Sequence, residues 1–181
     1  MTTVTNILAL VTLFLVVGAC TKDEGNDAHR AATPTSASDL SQDAKDSLDR
    51  VIDSYENIRA KLVRDELEGI TASAETLERS ADEAATLAPE RFRAQLHALA
   101  TTAKRLKETE PADAAAVRQA FGDASRSVVS LLSAEPSLRG GRYVFECPMA
   151  KGYKKWVQPS ATASNPYMGG QMPTCGEQGE W

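Results

Sequence analysis

Residues 139–181 gather the side chains able to do chemistry: Met149, Met168 and Met172, which are all the methionines after Met1, and two of the three cysteines, Cys147 and Cys175. Thiolate and thioether are soft donors, and soft donors select Cu(I) and Ag(I) over Mg, Ca or Mn. Cys147-Pro148-Met149 puts two sulfurs on one turn, and Met172-Pro173-Thr174-Cys175 puts two more three residues apart. Brought together, the two turns would surround a soft cation with no histidine or carboxylate required. Cys147, Met149, Met172 and Cys175 are therefore candidate ligands, with Met168 as a further donor. The same cysteines have a second chemistry. In an oxidising compartment two cysteines 28 residues apart close a disulfide, worth about 3–4 kcal/mol to a segment with little core of its own. The methionines would then be packing. Residue types and spacing leave both chemistries open.

Other chemistries have less to stand on. No nucleotide-binding glycine loop, zinc-protease helix motif or serine elbow occurs. His29 lies alone in a polar stretch, and His97, beside the apolar Leu96 and Leu99, reads as a surface or boundary residue. Asp82 and Glu83 fall on a solvated helical face. The tail has cysteine without histidine, so no nucleophile and base pair is visible and no enzyme is expected. A formal charge of −5 and a pI near 5.1 argue against nucleic acid or an anionic bilayer surface as partner.

The elements that would position the tail begin at the N-terminus. Met1 to Asn6 is polar and runs into an apolar stretch, Ile7 to Val17, that closes on Gly18-Ala19-Cys20. A spanning helix needs roughly 20 apolar residues, whereas a secretory signal needs about 7–15 followed by small residues. This run is of the second kind, although it lacks the usual Lys or Arg ahead of it. Val17-Gly18-Ala19-Cys20 resembles a lipobox, where cleavage follows attachment of diacylglycerol to the cysteine. Residues 1–19 are thus expected to be a lipoprotein signal peptide. Cys20 becomes the lipidated N-terminus, its acyl chains, palmitate among them, held in the membrane. An ordinary secretory signal with an unmodified Cys20 is the alternative. Thr21 stands where Asp would signal inner-membrane retention, which leans the anchor toward the outer membrane, facing the periplasm. Residues 20–38 lack large aliphatic side chains and read as a disordered stalk.

Residues 39–138 read as an all-α, antiparallel four-helix up-down bundle. Apolar residues recur at spacings of three and four: Ala44, Leu48, Val51, Tyr55, Ile58 and Leu62; then Leu67, Ile70, Ala74, Leu77, Ala81 and Ala84. Asp65 with Glu68 resembles a capping box, which predicts the start of the second helix there. The third stripe is Phe92, Leu96, Leu99, Ala103 and Leu106, with Pro89 expected in its first turn. The fourth is Val117, Ala120 or Phe121, Ala124, Val128 and Leu131, ending before Pro136. Short connections favour antiparallel neighbours.

Residues 139–181 read as a small loop-rich unit with at most one or two short strands, Arg142 to Glu146 being the convincing one. Here the residues suggest a family. Cys147-Pro148-Met149-Ala150, Trp156, Asn165-Pro166-Tyr167, Gly169, Met172 and Cys175-Gly176 resemble the C-terminal signature of an exported bacterial family whose domain has no known function. Tyr55, Leu62-Val63, Asp65-Glu66-Leu67 and Phe121 with Ser125 or Ser127 resemble its helical positions. Met168 and Pro173 depart from its pattern. Members of that family occur as lipoproteins or attached to periplasmic adaptor subunits of heavy-metal efflux systems. The resemblance therefore implies a neighbourhood of copper or silver handling, with an efflux adaptor or copper protein as partner. The leading expectation is an envelope lipoprotein that holds Cu(I) or a similar soft ion in the Cys/Met cluster. The alternative is an interaction lipoprotein whose tail, stapled by a Cys147–Cys175 disulfide, presents aromatic residues to an envelope partner.

Overall fold

The computed structural model describes residues 40–181. The expected signal peptide (1–19), the stalk (20–38) and the lipidation residue Cys20 lie outside the described residues. None of the helices described is long and apolar enough to cross a membrane.

The first stripe becomes the buried face of α1, Gln42–Val63. Ser41 caps it, accepting the Ala44 amide proton at 3.2 Å, while Asp43 in the first turn and Lys61 in the last suit the helix dipole. The second stripe, from Ile70 onward, is buried on α2, Ile70–Leu87; the third on α3, Glu90–Glu108; the fourth on α4, Ala114–Ala134, where Ala120 and Phe121 are both buried. Asp113 caps α4 by accepting the Ala116 amide at 3.0 Å. Each helix packs on the next, and α1 also touches α4. His97, Asp82 and Glu83 are exposed.

The start expected for the second helix is overturned. Asp65 ends α1 instead of opening α2. It lies in the left-handed region at φ 57°, and its amide donates to Leu62 O while the Glu66 amide donates to Lys61 O. That pair of bonds is a Schellman closure, a position more often filled by Gly or Asn. The true N-cap of α2 is Gly69, at φ 78° with no side-chain cap, and Leu67 sits in the connection, half-buried against the core. Pro89 is likewise one residue outside α3, at its N-cap.

A 3₁₀ turn, Pro136–Arg139, leads into β1 (Tyr143–Glu146), β2 (Lys155–Gln158), a second 3₁₀ turn (Gly169–Gln171) and β3 (Glu177–Gln178). Three strands stand where one or two were expected, in the antiparallel order β2-β1-β3. Phe145 pairs with Trp156 across β1 and β2, their rings stacked at 5.6 Å. Bundle and sheet belong to one compact unit with one core. Their seam is a run of rings in contact, Tyr55 with Phe121, Phe121 with Tyr167, and Tyr167 with Trp156, at 5.1, 5.8 and 5.9 Å. Such pairs add about 0.5–1.5 kcal/mol each beyond the area they bury.

Candidate functional site

Cys147 follows β1, and its amide extends the ladder to Lys154 O at 3.1 Å. A β-turn then runs from Cys147 to Ala150, closed by the Ala150 amide on Cys147 O at 3.1 Å. A second turn, closed by the Cys175 amide on Met172 O at 3.2 Å, delivers Cys175 just before β3. The next residue must be small: a Cβ on Gly176 would lie 2.5 Å from the Trp156 ring. The two turns set the sulfurs of Cys147 and Cys175 2.9 Å apart. Both are free thiols, Cys147 fully buried and Cys175 half-buried.

Asn165 holds the turns in place. Its Oδ1 accepts the Tyr167 and Met168 amides at 2.8 and 3.1 Å, its Nδ2 donates to Cys175 O at 2.6 Å, and its amide donates to Pro173 O at 2.8 Å. Burial alone would raise the Cys147 thiol pKa. Hydrogen bonds from Cys175, the Met149 amide, the Asn165 side chain and the Ala150 amide outweigh it and hold that thiol below its ordinary value. Cys175 is pushed up, first by its hydrogen bond to Cys147 and then by burial and by the charges of Cys147 and Glu177.

Of the expected ligands, the structure brings the two cysteines together. Met149 and Met172 ride on the same turns but leave 61 % and 40 % of their surface in solvent. Met168 is half-buried against the core. Donor softness fits Cu(I) or Ag(I), but spacing fits less well. Two sulfurs at about 2.3 Å from a shared tetrahedral cation would stand about 3.8 Å apart, so the turns would have to separate. No group of three or more His, Cys, Asp or Glu able to hold a metal occurs among the described residues. The aromatic residues expected on the surface are turned inward: Trp156 and Tyr167 are buried, and Tyr143, Tyr153 and Trp181 are half-buried on the core.

Three anchors that hold the tail on the bundle were not legible as such. The free edge of β2 is satisfied by side chains. The Val157 amide donates to Tyr55 Oη at 3.3 Å, Tyr55 meets Ser125 Oγ at 2.7 Å, and Ser125 and Tyr167 donate to Lys155 O at 2.8 and 2.6 Å. Arg59, paired with Glu56, donates to Ser164 O at 2.9 Å. Arg118 donates to Leu62 O at 2.9 Å and pairs with Asp65, which in turn accepts the Gly170 amide at 2.8 Å. The signal nearest to hand was Asn165-Pro166, an Asx-turn pair that marks a tightly built loop. No family model, no curated protein and no solved structure matches this chain.

Proposed function

We propose that this chain is a non-enzymatic envelope lipoprotein, tethered through Cys20, whose C-terminal unit is stapled by a Cys147–Cys175 disulfide and serves as an interaction module. The observation that carries this reading is the 2.9 Å approach of the two sulfurs. It is well inside thiol van der Waals contact and about 0.9 Å from a bond. Export past the membrane would put the pair in a compartment where disulfides persist. We read the helices as an antiparallel up-down bundle, since their connections, Arg64–Gly69, Ala88–Pro89 and Thr109–Asp113, are too short to let the chain recross its length. The side chains the tail offers to a partner are Met149 and Met172, exposed on the two cysteine turns, and thioethers adapt well to varied surfaces. The resemblance in the tail points to a heavy-metal efflux adaptor or a copper protein as that partner, and to the outer membrane, facing the periplasm.

A second reading keeps the pair reduced and has it hold Cu(I) or Ag(I) with Met149, Met172 and, more remotely, Met168. Exposure of both thioethers beside the sulfur pair favours it. One variant series separates the two. For a disulfide, Cys147→Ser and Cys175→Ser lower thermal stability, while Met149→Leu and Met172→Leu cost under about 1.5 kcal/mol each. For a soft-ion site the same methionine swaps weaken competitive Cu(I) affinity of the reduced protein by about tenfold or more, or about 1.4 kcal/mol per decade. Unchanged stability in both cysteine variants contradicts the staple.

A further inference from the structure

The two sulfurs differ in access. Cys147 has no exposed surface and sits directly after β1, its amide held by Lys154 O. Cys175 is half-buried and follows the exposed run Met172-Pro173-Thr174. Thiol–disulfide exchange needs in-line approach to one sulfur from the side opposite the other. Of the two residues, only Cys175 has surface in solvent.

They also differ in what surrounds them. The Met149 and Ala150 amides of the Cys147 turn and the Asn165 side chain favour a thiolate at Cys147. These donors are fixed without help from an S–S bond: the turn by its own Ala150 to Cys147 bond, and Asn165 by the Tyr167 and Met168 amides on its Oδ1. Cys175 has instead the negative charge of Glu177 two residues on, which disfavours a thiolate there. A departing thiolate is thus met by ready donors at Cys147 and by a like charge at Cys175, and the better-stabilised sulfur leaves faster.

We infer that Cys175 is the exchange sulfur of the pair, the point at which an external thiol forms a mixed disulfide while Cys147 is released as a thiolate into its cradle of donors. This rests on the pair being a disulfide. In the first step an external thiolate bonds to Cys175 Sγ and the S–S electron pair leaves on Cys147 Sγ. A second external thiolate then attacks the external sulfur of the adduct, freeing Cys175, which takes a proton. Two thiols are oxidised to one disulfide, and the protein disulfide gains the two electrons. The reverse is equally built in, because the Cys147 thiolate stays beside the adduct on Cys175. Neither the Tyr55–Ser125 network nor the Asp65–Gly170 bond uses a sulfur, so the tail stays docked while the bond is open. The partner is of a definite chemical class, a thiol reductant on the exported side of the membrane. The staple is exchangeable, not inert.

The test uses oxidised full-length protein and glutathione as probe, with samples from the first tenth of the reaction quenched in acid and alkylating agent and mapped by peptide mass. The expected result is glutathione on Cys175 and alkylated Cys147, at least tenfold over the converse. Glutathione on Cys147, an even split, a bond that opens with no Cys175 adduct trapped, or a bond that resists excess glutathione each overturns the inference. A protein that carries two alkylatable thiols before any glutathione is added overturns the disulfide reading itself, and the inference with it.

Discussion

Asp65 ends α1, and its carboxylate accepts the Gly170 amide at 2.8 Å across 105 residues of chain. The Arg118 guanidinium closes the triangle by pairing with Asp65 and capping Leu62 O. One residue thus stops a helix and fixes the loop that carries the second cysteine turn. Asp65→Ala should lower stability by about 1–2 kcal/mol in urea denaturation. Half-exposure keeps the ion pair itself small, and most of the loss comes from the Gly170 amide left without its acceptor and from a left-handed φ that alanine tolerates poorly. Asp65→Asn, which keeps an acceptor and tolerates that φ, should lose less. Equal losses would show that the carboxylate does not hold the loop.

Gly169 tests the same clamp from the other side. A Cβ there would fall 2.1 Å from Asp65 Oδ1, at φ 50°, whereas one on Gly140 would meet nothing within 4 Å. Gly169→Ala should cost more than about 1 kcal/mol and Gly140→Ala within about 0.5. Matching melting temperatures would contradict the close approach.

Tyr55 and Ser125 should be coupled. Removing the buried hydroxyl in Tyr55→Phe leaves the Val157 amide without its acceptor, at about 1–3 kcal/mol. Ser125→Ala should cost less in that background than in the wild type. Burial, first among the causes, pushes the Tyr55 phenol well above its ordinary 10.0, so the unfolded chain loses this proton first. Its stabilising contribution is therefore full below pH 10.0 and declines as pH rises above it toward the folded value. In alkaline melts Tyr55→Phe should show a shallower decline than the wild type. Parallel curves would place the phenol in solvent.

Most of the bundle was legible in the sequence because an amphipathic helix declares itself locally. Every position in the first, third and fourth stripes is buried. Leu99, at the centre of α3, is 1 % exposed. Leu99→Asp should unfold the bundle, a bare carboxylate in the core costing several kcal/mol against a total of about 5–15. Glu83→Ala, at an exposed position, should leave circular dichroism and melting unchanged. Two variants that melt alike would mean that the helix faces are misassigned.

What failed to show were relationships whose halves lie far apart in the chain. Asp65 looked like a cap for Glu68 because its real partners are Arg118 and Gly170. Arg59 gave no sign that it would hold Ser164. β3 is two residues long and leaves no period to read. The tail aromatics looked like a docking surface because nothing local says that Phe121 on α4 will receive Tyr167. The cysteine pair was legible as a pair, since spacing and residue type suffice for that. Its geometry was not, because it depends on Asn165 drawing the Pro173 loop and Cys175 O together.

Whether Cys147 and Cys175 are bonded is read from the mass of the protein. Protein taken from cells under acid, without reductant, is treated with N-ethylmaleimide and weighed before and after reduction. The account predicts no maleimide on Cys147 or Cys175, a peptide pair linked through them, and a gain of two hydrogens on reduction. Two maleimides on those residues without reductant, or a soft metal ion retained on them, would contradict it.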